Sequence, residues 1–411
     1  MEPFIRDQII AVLKYVPFHM AAGYVKQGSS PEVDEVLRKT GGFIKGICHP
    51  SEEFEQIKGA GIEWNRADIA FPFDREGNIR EDYINWKAKM LRYRKNGIKI
   101  FAVTPYPKTF IEHGIDPRLP ECEARVREIA EFLITDLKDI IGGVQVTNEM
   151  GIPHFTNPLT MREAARFIGV QLAAMHPLRG DVVIGYNSAG PQGDLHSLMR
   201  PWHKYCDYVG IDIYIGCFAP VGNSMSTLDM MLRYLWSMTG KPIILMEFGY
   251  ISGGAPKSPE EKRAILQRYG VSSEKEIREK IDLVLENMKT VAPGLYKRTM
   301  ENASSPEKRA DYLLQIDTKN HLYSELPGGV AVPGCPHTAE GQAKFYREAL
   351  PRLAKIPFLA GAIIYAWKDS ETCYACGQSD CPTETRWGLV DQQHQEKPSY
   401  FAVREALANI Q

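Results

Sequence analysis

Long apolar runs are missing from this chain. Its 411 residues nowhere approach the roughly 18 consecutive apolar residues that a membrane-spanning helix requires. The opening segment MEPFIRDQIIAVLKYVPF is interrupted by Glu2, Arg6, Asp7 and Lys14, and no A-x-A-like cleavage site follows it, which disfavours a secretory signal peptide. We therefore expect a cytoplasmic protein with no membrane partner.

An excess of charge of one sign is also missing. The 49 lysine and arginine residues nearly balance the 51 aspartate and glutamate residues, so no global field attracts nucleic acid or an anionic surface. The chain contains no P-loop and no G-x-G-x-x-G pattern. None of its ten histidines forms the H-x-H pair of metal-dependent barrel hydrolases. The ligand class that remains favoured is neutral, either small or polysaccharide-like.

Eight short β-rich runs alternate with segments of helical period, which is the pattern of a parallel sheet built from βα units. Eight such units predict an α/β fold, a (β/α)8 TIM barrel, and 44% hydrophobic residues can fill its core. The predicted strands are FIKGIC (from Phe43), IEWNRADIAF (from Ile62), IKIFAVT (from Ile98), GVQVT (from Gly143), VVIGY (from Val182), YVGIDIY (from Tyr208), PIILME (from Pro242) and AGAIIYAW (from Ala360).

The predicted barrel comprises residues 43–411. Two segments of the chain are additions to a minimal barrel. Residues 1–42 are predicted to form an N-terminal helical extension, with one helix from about Phe4 to Val16 and another from Ser30 to Thr40, where Ser30 caps the start and Gly41 the end. About 110 residues separate the seventh strand from the eighth, so we predict a helical insertion at about 252–332. Loops after barrel strands lie on the C-terminal face. The insertion therefore narrows a pocket there or forms a subunit contact in a homo-oligomer.

Two glutamates end predicted strands. Glu149 follows the fourth strand in GVQVTNEM, and Glu247 ends the seventh in KPIILMEFGY. Barrel chemistry is assembled at the C-terminal ends of the strands. Cleavage of a glycosidic bond needs two carboxyl groups, one to protonate the departing oxygen and one to attack the anomeric carbon or activate water. The pair therefore indicates glycoside hydrolysis, whereas either glutamate alone would fit a structural ion pair equally well.

The motifs TNEM and MEFGY resemble the signature of the clan A glycoside hydrolases, the retaining β-glycosidases with catalytic glutamates on strands four and seven. The resemblance implies that Glu149 is the acid/base, that Glu247 is the nucleophile, and that Asn148 binds the sugar 2-hydroxyl. Met150 stands where many members have proline, so no family within the clan is assigned. The implied activity is a retaining β-glycosidase. We expect it to be exo-acting on short β-galactosides or β-glucosides, with no cofactor for catalysis.

Other strand ends extend the resemblance. It implies that Arg66 keeps the nucleophile ionised, that the hydroxyl of Tyr214 contacts the nucleophile, and that Trp367 forms an apolar floor for the sugar. If these three residues were only structural, Arg66 would be an ion-pair partner, and Tyr214 and Trp367 would be packed aromatics. Further candidates for contacts with sugar hydroxyls are His49, Tyr106 and Asn187, at the ends of strands one, three and five.

Four cysteines suggest a structural metal. Cys373, Cys376 and Cys381 have C-x2-C-x4-C spacing just after strand eight, and Cys335 precedes the helix that leads into that strand. Four thiolates suit a tetrahedral structural zinc ion, and His337 could replace one of them. Free thiols and disulfides remain alternatives.

Two further functions remain open. The first is an endo-β-glycanase of the same clan, and the second is a non-catalytic carbohydrate-binding barrel, which would have little reason to keep both glutamates together with Arg66 and Tyr214. The partner in each case is an oligosaccharide or glycoside rather than nucleic acid.

Overall fold

The computed structural model describes residues 30–218, 222–254, 257–326 and 330–410. Eight parallel strands close into a barrel in chain order, which confirms the predicted (β/α)8 fold. Each predicted β-rich run overlaps one strand, and the fifth strand continues three residues beyond its run, to Ala189. The strands are β1 (Ile44–Cys48), β2 (Trp64–Asp68), β3 (Lys99–Val103), β4 (Gly143–Val146), β5 (Val183–Ala189), β6 (Tyr208–Ile213), β7 (Ile243–Phe248) and β8 (Leu359–Ile364).

Helices follow the strands on the outside of the barrel, where their apolar faces pack on the outward side chains of the strands. The helices of the barrel are Phe54–Gly59, Glu81–Lys95, Pro107–Glu112, Glu123–Leu137, Pro153–Thr156, Met161–Met175, Gly193–Met199, Met225–Thr239, Ala339–Leu353, Pro382–Thr385 and Pro398–Ala408, with short 3₁₀ segments at Pro120–Cys122 and Arg200–Tyr205. No helix among the described residues is long and apolar enough to cross a membrane.

The N-terminal extension contributes a helix over Pro31–Thr40. The Ser30 hydroxyl accepts the Val33 N–H at its start, and Gly41 adopts a left-handed conformation with φ 76° at its end, as predicted. Val36 of this helix belongs to the apolar cluster inside the barrel, together with Ile44 of β1. The helix therefore covers the N-terminal end of the barrel. The helix predicted at Phe4 to Val16 lies outside the described residues.

The predicted insertion after β7 is helical. Its helices span Pro259–Arg268, Glu274–Glu279, Ile281–Val291, Pro293–Asn302, Pro306–Leu314 and Ile316–Tyr323. Ser258, Ser273 and Ser305 each cap a helix start with the side-chain oxygen. The insertion forms an apolar cluster of its own, in which Leu266, Ile277 and Leu313 are buried. The loop after β8 also contributes residues to this cluster, so the insertion packs on the C-terminal side of the barrel.

A buried ion pair fastens the chain after β8 to the last helix. Lys397 Nζ lies 3.0 Å from both carboxylate oxygens of Asp369 and 2.8 Å from the Ser252 hydroxyl oxygen, at the start of the insertion. The side chains of Asp369 and Lys397 are only 5% and 11% exposed. We expect Asp369→Ala to lower the free energy of unfolding by about 3 kcal/mol, because it leaves a buried ammonium without its counter-charge. Urea denaturation of the variant measures this, and a loss below about 0.5 kcal/mol would contradict it.

Candidate active site

The two predicted glutamates meet at the C-terminal mouth of the barrel. Carboxylate oxygens of Glu149, Asp212 and Glu247 lie within 4.8 Å of one another. Each comes from a different βα unit, since Asp212 lies in β6, Glu247 in β7 and Glu149 just after β4. This close approach brings together the two side chains that the sequence paired, and it adds a third carboxyl group that the sequence analysis did not include.

A β-bulge directs Glu247 into the mouth. Leu245 packs in the outer cluster and Met246 in the barrel interior, so strict alternation would turn Glu247 outward. The pairing of β6 with β7 is irregular here, and Asp212 pairs with Glu247 while Ile211 pairs with Leu245. The extra residue resets the alternation. Glu247 therefore lies beside Asp212 at the mouth.

Backbone conformation places Glu149. Thr147 and Glu149 have positive φ values of 59° and 44°, which are uncommon for residues other than glycine. Two hydrogen bonds hold this path: the Thr147 N–H donates to the Thr104 hydroxyl at 3.0 Å, and the Glu149 N–H donates to Asn187 Oδ1 at 2.9 Å. These side-chain acceptors offset the conformational cost of the turn, which brings Glu149 to the mouth.

Glu247 has a cationic and a neutral hydrogen-bond donor. Arg66 Nη1 lies 2.8 Å from Glu247 Oε1, and the Tyr214 hydroxyl donates to Oε2. The arginine and glutamate side chains are 4% and 10% exposed. Because water screens this pair so little, the positive charge and the hydroxyl dipole both stabilise negative charge on the Glu247 carboxylate. Arg66 and Tyr214 thus both contact Glu247, as the resemblance implied.

A buried amide network fixes Asn148. Its Oδ1 accepts hydrogen bonds from Arg66 Nη2 at 2.7 Å, Gln145 Nε2 at 2.8 Å and Asn187 Nδ2 at 2.8 Å. The Gln145 side chain also accepts from Arg66 Nε at 3.0 Å. Three donors on one oxygen fix the orientation of the amide. Its NH₂ group must therefore point away from this network.

Glu149 and Asp212 sit in an environment that favours their neutral forms. Burial, reinforced by the negative charge of Glu247, raises the pKa of Glu149 to about 8. Burial and the charges of the two glutamates raise the pKa of Asp212 well above its usual range. Asp212 Oδ2 accepts from Asn187 Nδ2 at 2.6 Å. Burial and the neighbouring charge therefore favour the neutral forms of Glu149 and Asp212, while Glu247 receives the hydrogen bonds of Arg66 and Tyr214.

The other predicted sugar contacts lie around these carboxyl groups. Tyr106 donates its hydroxyl to Asp68 Oδ1 at 2.9 Å. His49, exposed at the end of β1, meets the ring of Tyr365 edge to face at 5.7 Å. Asn187 orients Asn148 and Asp212 from within the buried network, so we assign it a positioning role in place of the predicted sugar contact.

The predicted role of Trp367 is wrong. Its side chain is fully buried and packs against Tyr400, with ring centroids 6.3 Å apart, so it has no surface to offer a sugar. Tyr365, two residues earlier, is half-buried at the mouth and contacts Tyr214 and Trp387 by ring edges. The sequence showed an aromatic at this strand end but could not decide which of two was buried.

Glu384 is a further acidic residue at the mouth that the sequence analysis missed. Tyr365 donates its hydroxyl to Glu384 Oε2 at 3.0 Å. Burial raises the pKa of Glu384 to about 8, and the charge of Glu247 adds to this shift while that of Arg298 opposes it. Arg298 lies on an insertion helix. The insertion and the loop after β8 therefore border the same cleft.

Three of the four cysteines that the sequence grouped lie together. Ligand atoms of Cys373, Cys376 and Cys381 lie within 4.8 Å of one another and of a ring nitrogen of His321. Cys335 lies instead in the barrel's outer cluster, where its carbonyl accepts the Tyr250 hydroxyl at 2.5 Å. His337 is also elsewhere, with Nε2 3.0 Å from the Gly216 carbonyl. His321, 52 residues before Cys373, completes the group.

The chain is similar to known proteins in structure. No protein-family model matches the chain, and no curated protein matches it. The GH53 catalytic domain of Ignisphaera aggregans has a TM-score of 0.52 and 14% identity, with 92% of this chain and 95% of that chain covered. A family 39 glycoside hydrolase from Bacteroides cellulosilyticus has a TM-score of 0.51 and 16% identity, with 90% and 64% covered.

Some similar structures are much longer than this chain. The β-D-glucuronidase of Dictyoglomus thermophilum has a TM-score of 0.50 and 14% identity, and the match covers 90% of this chain but only 51% of that one. The chain thus spans about half the length of that enzyme. At these identities the likeness concerns the fold. It confirms the predicted resemblance to barrel glycoside hydrolases at that level and assigns no family.

Proposed function

We propose that the protein is a retaining β-glycosidase in which Glu247 is the nucleophile and Glu149 the acid/base. One observation carries the proposal: carboxylate oxygens of the two glutamates lie within 4.8 Å of each other, in surroundings that favour an anion at Glu247 and a neutral acid at Glu149. Carboxyl groups about 5 to 5.5 Å apart suit direct attack, whereas inverting enzymes need about 6.5 to 9.5 Å to admit water.

Two displacements follow from this geometry. Glu247 attacks the anomeric carbon while the bond to the leaving oxygen breaks, and Glu149 gives its proton to that oxygen. The ester formed at Glu247 is neutral, so one cause of the raised pKa of Glu149 is removed. Glu149 then takes a proton from water, which attacks the anomeric carbon. The ester bond breaks, the Glu247 carboxylate is restored, and Glu149 is again protonated.

The amide and aromatic side chains around the carboxyl groups suit a sugar. The NH₂ group of Asn148 points away from its network and can donate to the 2-hydroxyl. The ring of Tyr365 supplies the apolar face that we had expected from Trp367. Gln145 and Asn187 do not touch the sugar in this scheme but hold Asn148 in place.

The insertion supports exo-action on short substrates. Arg298 of the insertion acts electrostatically on Glu384 and on Tyr374, and both of these residues belong to the loop after β8 that borders the cleft. A wall on that side leaves a pocket for one terminal sugar. We propose that the substrates are short β-galactosides or β-glucosides.

The cytoplasmic location of the protein stays a prediction.

The test is a panel of nitrophenyl β-glycosides followed by product analysis on a β-linked oligosaccharide series. We expect hydrolysis of at least one monosaccharide glycoside and release of single sugars from the non-reducing end. Early mid-chain products from a polymer would favour an endo-β-glycanase. Saturable sugar binding without turnover of any substrate would favour a non-catalytic carbohydrate-binding barrel.

The pH dependence of kcat/KM should report the acid. Glu149 must be protonated for the first displacement, and its pKa is raised to about 8. We therefore expect kcat/KM to fall roughly tenfold per pH unit above about pH 8, as measured from initial rates between pH 5 and pH 10. In Glu149→Gln, assayed with an activated leaving group, this alkaline limb should disappear. Its persistence in that variant would assign the limb to another residue.

A further inference from the structure

Three thiols and one imidazole converge on a single point beside the cleft. Cys373 and Cys381 each place Sγ 3.6 Å from Nδ1 of His321, and Cys376 completes a group whose ligand atoms all lie within 4.8 Å of one another. The three cysteine side chains are fully buried. They lie in the apolar cluster of the insertion, and they form a group separate from the three carboxyl groups at the mouth.

The distances are those of ligands that share one tetrahedral ion. With Zn–S about 2.3 Å and Zn–N about 2.0 to 2.1 Å, tetrahedral angles place sulfur and nitrogen about 3.6 Å apart. Hydrogen bonding explains the group less well, because Nδ1 of a neutral imidazole has one lone pair and accepts one thiol proton. Two sulfurs at equal distance from that nitrogen are better explained by a cation between them.

The donor set and its compactness identify the class of metal. Thiolates select soft or borderline ions, and three thiolates with one imidazole form a closed structural site for zinc. The ligands of a polynuclear iron–sulfur cluster bind different iron atoms, so they would be spread farther apart than the 4.8 Å seen here. A single ion therefore fits the group.

We propose that His321, Cys373, Cys376 and Cys381 bind one zinc ion, which fastens the helical insertion to the loop after β8. His321 belongs to the insertion helix Ile316–Tyr323, whereas the cysteines belong to the loop. The ion thus cross-links two segments that are distant in sequence. Because Tyr374 follows Cys373 directly and Glu384 lies three residues after Cys381, the cross-link also positions one wall of the cleft.

Backbone contacts around the cluster support the cross-link. Gln378 Nε2 donates to the His321 carbonyl at 2.7 Å, and the Cys373 backbone N–H donates to the Gln378 carbonyl at 2.9 Å. Gly294 of the insertion packs so tightly on this loop that an added Cβ would lie 2.8 Å from the Cys376 carbonyl carbon and 2.9 Å from the Gly377 nitrogen. Insertion and loop therefore meet backbone to backbone beside Cys376.

Elemental analysis of the full chain, purified without chelator and supplied with zinc alone, tests the site. We expect about one zinc ion per chain in the wild type, in His321→Cys, which restores a fourth ligand, and in the matched control Cys335→Ser. We expect less than about one tenth of that in His321→Ala and Cys376→Ser. A wild type without metal, or equal zinc in His321→Ala and His321→Cys, would overturn the proposal.

A wild-type measurement keeps the proposal testable if those variants fail to fold. Cobalt(II) added to the metal-stripped protein should saturate at one equivalent, with intense tetrahedral d–d bands and thiolate charge-transfer absorption. Weak octahedral bands would contradict the assigned ligands. Stripping the metal should also speed amide hydrogen exchange at least tenfold in residues 372–385 and 293–302, with the barrel strands unchanged. Unchanged exchange in those segments would overturn the cross-linking role.

Discussion

Glu247→Gln should lose on the order of 10⁴-fold or more in kcat on the best nitrophenyl β-glycoside of the panel. The amide has the size of the carboxylate but is not a nucleophile, and it cannot form the ion pair with Arg66 that lies at 2.8 Å. Initial rates at saturating substrate measure the loss. The matched control is Glu63→Gln. Glu63 stands directly before β2, at the N-terminal end of the barrel, where substitutions affect stability rather than chemistry.

Azide should restore activity to the Glu247→Ala variant and give a diagnostic product. In Glu247→Ala, azide can occupy the space of the lost carboxylate and attack the anomeric carbon of a β-glycoside, which yields the α-glycosyl azide. Carbon-13 or proton NMR of the product distinguishes the two anomers. A β-glycosyl azide from this variant, or full activity without azide, would contradict the assignment of Glu247 as nucleophile.

Glu149→Ala should show a loss that depends on the leaving group. For a substrate with a poor leaving group we expect kcat/KM to fall about 10²- to 10⁴-fold, because general acid catalysis is removed. A dinitrophenyl glycoside needs little protonation, so its kcat/KM should change by less than about tenfold. Plots of log kcat/KM against leaving-group pKa for the variant and for Glu63→Gln measure the difference.

The second half of the reaction gives an independent check on Glu149. Without a base, hydrolysis of the glycosyl-enzyme should be slow, and added azide should speed turnover of the dinitrophenyl substrate with formation of the β-glycosyl azide. Equal losses for poor and good leaving groups, with no response to azide, would rule out the acid/base role.

The barrel could be predicted because its signals are local. Each strand overlaps a short β-rich run, and three of the six insertion helices begin at a capping serine, namely Ser258, Ser273 and Ser305. The site followed from the fold, because parallel barrel strands bring their C-terminal ends to one mouth. Glu149 and Glu247 could therefore be paired although they lie 98 positions apart in the sequence.

The remaining features depend on side-chain direction and on loop paths. Strict alternation would turn Glu247 away from the mouth, and only the bulge between β6 and β7 shows why it points inward. Trp367 and Tyr365 are equally plausible in the sequence, and burial decides between them. No cysteine lies near His321 in the sequence to mark it as a ligand. Cys335 fitted a four-cysteine zinc site better, but the structure places it outside the group. Glu384 was missed because it follows no strand.

The configuration of the first product tests most directly whether hydrolysis is a double displacement at Glu247 assisted by Glu149. Proton NMR during hydrolysis of the preferred nitrophenyl β-glycoside, recorded before mutarotation, resolves the anomeric proton of the released sugar. We predict that the β-anomer forms first and that the α-anomer grows in only at the rate of mutarotation. The α-anomer as first product would show inversion and would contradict the account.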